Sequence, residues 1–153
     1  MPLPTAEKLN TPQVRQFSVF LQNKVGALLE VVKLLNESHV VVLALSIQDS
    51  SESALGRIIV SDPERVTQLF REHDIPYSDC ELLVVELADG PADLARVLAA
   101  LLMAEVNIYF SYPLLIRPHD RAVLAMHLDD NECAASVLVG EGFKLLRQGD
   151  LSR

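Results

Sequence analysis

The sequence predicts an α+β fold of two βαββαβ units in tandem, each an antiparallel sheet with its helices on one face. Two observations carry this. Alternating apolar stretches give way to helical spacing and return, in the same order, twice along the chain. The second half also repeats the first at a shift of 66: Leu83, Val85 and Leu87 stand where Phe17, Val19 and Leu21 stand.

Residues 1–13 carry Pro2, Pro4 and Pro12 with little periodicity and read as a loose lead-in. Phe17, Val19 and Leu21 alternate with Gln16, Ser18 and Gln22, the pattern of a strand with one buried face. The run Asn23-Lys24-Val25-Gly26 breaks it. Leu28, Val31, Val32 and Leu35 follow at helical spacing, and Asn36, Ser38 and His39 end the helix. The β-branched run VVVLALSIQ, residues 40–48, is a second strand, closed by the polar cluster DSSES; GRIIVS is a third. Asp62 and Pro63 open a helix as N-cap and first residue, and Val66, Leu69 and Phe70 give its buried stripe. That helix stops before Ile75-Pro76.

Residues 78–88 serve as last strand of the first unit, first strand of the second, or both in succession. Leu94, Val97, Leu98 and Leu101 then repeat the first helix. RAVLAMHL is a strand and DDNECAASVLVGEG a helix ended by glycine, now at a shift of 68, with Asp130 matching Asp62. FKLLRQ, residues 143–148, closes the repeat as a last strand. The units run over 14–79 and 80–153. A unit of ~70 residues has a marginal core alone, so two fused units share a sheet or bury a common face. The sheet face without helices is expected to meet a partner, another domain or solvent.

Composition narrows the function. The formal net charge of −8 opposes phosphate backbones and anionic membrane surfaces, so no nucleic acid and no membrane are expected as partners. No apolar stretch approaches the ~20 residues of a membrane span, and the start lacks a secretory pattern. Two distant cysteines, Cys80 and Cys133, suit a reducing cytoplasm. The four histidines have no metal spacing, so no metal and no cofactor are expected. No nucleophile motif, phosphate loop or dinucleotide fingerprint occurs, and an enzyme is not expected.

The element order, with NKVGALLE in the first unit and DGPADLARVL in the second, resembles the ACT domain, a small ferredoxin-like module that regulates by binding amino acids. Its strand-to-helix loop reads roughly Asn/Asp-x-Pro-Gly-x-Leu. The likeness covers residues 15–149 and is close to stand-alone bacterial proteins with two ACT units and no catalytic domain. It implies a ligand corner at Asn23, Lys24, Val25, Gly26, Ala27 and Leu28, and a second at Asp89, Gly90, Pro91, Ala92 and Leu94. Strand residues Ser46, Ser111 and Tyr112 are implied to face the same pocket. Two departures stand out: Val25 replaces the usual proline, and Ala92 the usual glycine. The helix-ending glycine of such domains is His39 in one unit and Glu105 in the other. A glycine at such a corner lets backbone approach a ligand, and the helix start offers free N–H groups to a carboxylate.

The helix stretch VLAALLMA, residues 97–104, has no polar face. Ala99, Ala100 and Met103 are therefore expected to meet the other unit or a second chain, and a homodimer follows. The expected function is regulatory binding of an amino acid or similar small metabolite. The alternative is a ligand-free interaction module with degenerate corners, favoured by Val25 and Ala92.

Overall fold

The structure, a computed structural model, describes residues 11–22, 24–49 and 53–152. The elements are β1 (Val14–Leu21), α1 (Lys24–Glu37), β2 (Val42–Asp49), β3 (Ala54–Val60), α2 (Pro63–Glu72), β4 (Tyr77–Leu87), α3 (Leu94–Met103), β5 (Ile108–Pro113), β6 (Ala122–Leu128), α4 (Asn131–Gly140) and the single turn α5 (Gln148–Leu151). The six strands form one antiparallel sheet in the order β2-β3-β1-β4-β6-β5.

Strand β4 is shared by the two halves in succession. Its first half, Tyr77–Leu82, pairs with β1, and its second half, Leu83–Leu87, pairs with β6. The closing strand of the second half is shorter than the sequence predicts. It is a bridge between Leu145 and Val85, flanked by Glu86 N–H to Lys144 O (2.9 Å) and Leu146 N–H to Val84 O (2.8 Å). At Gln148 the chain turns helical, and this side chain binds the first unit instead, donating to Val60 O (2.9 Å) and accepting from Arg15 N–H (3.3 Å).

The helices begin and end where local chemistry dictates. Asp62 and Asp130 are equivalent N-caps, accepting from Arg65 N–H (3.1 Å) and Cys133 N–H (2.9 Å). After the helices, His39 (φ 60°) and Glu105 (φ 57°) take the left-handed conformation, as do Asp74 (φ 53°) and Gly142 (φ 91°). The chain reverses there in the manner of a helix C-terminal turn, even where no glycine is available.

Three cores follow. Phe17, Leu21, Leu35, Ile58 and Phe70 pack between the first half-sheet and its helices; Leu83, Leu101, Met126 and Leu138 do the same in the second. The third core shows what the helix-free sheet face meets: the other half of the chain. The sheet curls so that its two inner faces meet, burying Val14, Ala44, Ile59, Leu82, Tyr112, Ala125 and Leu146 together. Leu115 N–H reaches Leu43 O (2.7 Å), joining the segment after β5 to β2 across the gap. Each half thus covers the apolar face that the other would leave wet.

One polar cluster sits inside this third core. Gln16 is fully buried on β1. Its Oε1 accepts from Tyr112 Oη (2.6 Å), and its Nε2 donates to Ser18 Oγ (3.1 Å) and Cys80 Sγ (3.4 Å). Burial, with a smaller push from Cys80, raises the Tyr112 phenol above its ordinary value. Burial likewise raises the Cys80 thiol, against the opposing Arg57 charge. Both groups therefore stay neutral, which a buried network requires.

Candidate functional site: two strand-to-helix corners

A cleft opens beside each corner, built from equivalent elements. The first, about 560 Å³, lies between the end of β1 (Val19, Phe20, Leu21, Gln22), the inward side of α1 (Ala27, Glu30, Val31, Leu34) and the turn His73–Pro76. The second, about 200 Å³, lies between the end of β4 (Glu86, Ala88, Asp89), Asp93 and Arg96, Arg121, and the turn Gly142–Lys144. A shift of 66 maps Phe20 onto Glu86, Ala27 onto Asp93 and Glu30 onto Arg96; a shift of 68 maps Asp74–Pro76 onto Gly142–Lys144.

The local folding of the two corners differs. In the first, α1 starts at Lys24, three residues after β1 ends, and its first turn has no acidic residue. In the second, Gly90 takes φ 60° and a 3₁₀ turn, Gly90–Asp93, precedes α3. Asp93, only 3% exposed, accepts Asp89 N–H on Oδ2 (3.0 Å) and Arg96 Nη1 on Oδ1 (3.0 Å). The chain's own carboxylate therefore occupies the second corner, while the small Ala27 leaves the first open.

The sequence-predicted residues separate on this framework. Asn23 lies outside the described residues. Lys24 begins α1, and Val25 faces solvent. Gly26 is half-buried in the first turn, Ala27 lines the first cleft, and Leu28 packs into the first core. Asp89 lines the second cleft, whereas Pro91, Ala92 and Leu94 are exposed and Gly90 only makes the turn. Ser46, Ser111 and Tyr112 line neither cleft. Tyr112 is buried in the shared core against Gln16, and Ser111, its neighbour on β5, is exposed. Ser46 is paired with Arg57 on the β2–β3 ladder. Sequence reasoning missed Glu86, Asp93, Arg96 and Arg121; laying one repeat on the other, position by position, exposes the first three as charges standing where the first unit has Phe20, Ala27 and Glu30.

Among the described residues, no cluster of His, Cys, Asp or Glu is placed to hold a metal ion, and no helix is long and apolar enough to cross a membrane. Cys80 and Cys133 are free thiols.

The repeated βαββαβ order, the shared strand and an equivalent cleft in each half define a tandem ferredoxin-like protein. The chain belongs to the ACT domain pair family, whose pattern matches residues 12–153. Among solved structures it is similar to a Bacteroides thetaiotaomicron protein at 26% identity, with 92% of this chain and 96% of that one covered and a TM-score of 0.83. The regulatory subunit of aspartate kinase from Thermus thermophilus, in a ligand-free form, shares the fold at 12% identity, 86% and 94% coverage and a TM-score of 0.58. The corresponding subunit from Thermus flavus does so at 13% identity, 86% and 93% coverage and a TM-score of 0.54. No curated protein matches the chain.

Proposed function

We propose that this ACT domain pair is a regulatory protein that binds an amino acid in its first corner. The observation that carries the reading is the contrast between the corners: the first is an open cleft of about 560 Å³ at a helix start with no acidic residue in its first turn. A ligand carboxylate seats over the first turn of α1, where free N–H groups and the helix dipole favour an anion. Its ammonium group faces Glu30 and Asp74, and an apolar side chain packs against Val19, Val31 and Ile75, all of which line the cleft. Binding favours one arrangement of the corner and shifts its population, which a partner protein reads.

Assembly gives a second readout. Along α3, Leu98, Leu102 and Met103 are exposed, the last two by 77% and 85%, whereas Ala100 is taken into the chain's own core. A homodimer that covers this stripe accounts for a helix without a polar face. Light scattering then gives twice the chain mass; a monomer that persists on concentration removes this part of the reading.

The test of binding is a thermal-shift screen against the twenty amino acids at large excess, since ligands that bind only the native state raise its melting temperature. At least one amino acid stabilises the parent chain, and Gly26→Val abolishes that gain. Were no amino acid to shift the parent, a ligand-free interaction module would replace this reading.

A further inference from the structure

The geometry points to a separate binding site at Glu86, in the second cleft, for the ammonium group of a small compound. Glu86 is 4% exposed, yet its Oε1 is buried without a hydrogen-bond partner. Its Oε2 receives Arg121 Nη1 at 3.3 Å, and His119 Nδ1 stands 3.6 Å from Oε1, beyond hydrogen-bond reach. A buried carboxylate oxygen left without a donor costs free energy that an incoming N–H group recovers.

The rest of the cleft selects what kind of donor enters. Asp93 and Arg96 are already committed to each other, and Arg96 also donates to Glu141 O (3.0 Å). Asp89 adds a second carboxylate to the wall, and Lys144 lines the cleft as well. The volume, about 200 Å³, admits only a compact group. An ammonium carries three donors and no acceptor, so it satisfies Oε1 without leaving a new group unpaired. Access is through the cover over Oε1. The His119 and Arg121 side chains are 60% and 51% exposed, so they swing aside without unpacking the core. Two sources present this chemistry: a free primary amine and the α-ammonium of an amino acid. The site shares no residue with the first corner.

The experiment is residue-resolved. Amide ¹H–¹⁵N spectra of the full chain are titrated with n-propylammonium chloride, with glycine and with sodium acetate at constant ionic strength. Saturable shifts are expected at Glu86, Ala88, Asp89 and Gly142–Lys144 with an ammonium compound and not with acetate. Response to propylammonium alone assigns free amines as the source; response to glycine as well admits amino acids. Glu86→Gln keeps the shape and removes the charge, and weakens the response about tenfold or more. Ala88→Phe fills the cleft without touching the carboxylate and removes the response too, so it decides the matter if Glu86→Gln fails to fold. The proposal is overturned if the parent shows no saturable shifts at these amides, if the shifts gather only at the first corner, or if Glu86→Gln or Ala88→Phe responds like the parent. Failure here leaves the first corner untouched, because that site is scored on Gln22, Ala27 and Glu30.

Discussion

The two corners are built on one plan and differ at a few side chains. Backbone features persist: the N-caps Asp62 and Asp130, and the left-handed turns at His39 and Glu105, occupy equivalent places in both halves. The cleft linings do not. Where the first corner has Phe20, Ala27 and Glu30, the second has Glu86, Asp93 and Arg96. Chain reversal after a helix admits few conformations, so it survives divergence even without glycine. A cleft is different: where a carboxylate replaces a methyl group, about 560 Å³ becomes about 200 Å³. Duplication of the fold therefore does not duplicate the site.

The largest effect expected from breaking this contrast is on stability in the second corner. Asp93→Ala leaves Asp89 N–H and the Arg96 guanidinium without their acceptor. The cost is about 2–4 kcal/mol, read as a lower urea midpoint at unchanged slope. A cost under about 0.5 kcal/mol would mean that the second corner does not depend on its own carboxylate.

The reciprocal change sharpens the comparison. Ala27→Asp gives the first corner the residue of the second. It is expected to cancel stabilisation by the amino acid found in the screen, about 2.7 kcal/mol at a ligand concentration of 100 Kd. Full retention of that stabilisation places the ligand somewhere other than this corner.

A smaller effect tests the join that holds the two halves in register. Tyr112→Phe removes the donor to buried Gln16 and costs about 1–2 kcal/mol. It also changes the alkaline limb of stability. Because the folded-state phenol is raised above its unfolded value near 10, its contribution is intact below pH 10 and is lost as pH rises beyond. The parent should thus lose stability above pH 10 more steeply than Tyr112→Phe, in denaturant titrations across that range. Parallel curves for the two would show that Tyr112 is not the group responsible.

Much of the fold is legible in the sequence. The period-two runs gave β1 and the second half of β4, the helical spacing of Leu28, Val31 and Leu35 gave α1, and Asp62-Pro63 marked the start of α2. The closing strand is shorter than its pattern predicts: FKLLRQ is apolar enough for a strand, while Gln148 is drawn instead to Val60 O and Arg15 N–H on the other unit. No local pattern reveals such a pull. The candidate site was legible in outline only. Glycine and helix start marked both corners, but Ser46, Ser111 and Tyr112 fell away from the clefts, since strand alternation places Ser111 and Tyr112 on opposite faces and the curled sheet buries Tyr112.

The sequence by itself determined the duplicated βαββαβ order, the helix caps and the position of each corner, because these rest on periodicity and on contacts within a few residues. Only the tertiary structure decided three other things. Strand β4 serves both units, the bare faces of the two half-sheets close on each other, and one corner stands open while its twin is narrowed by Asp93. Each depends on residues far apart in the chain meeting in space, where packing and charge pairing outweigh local preference.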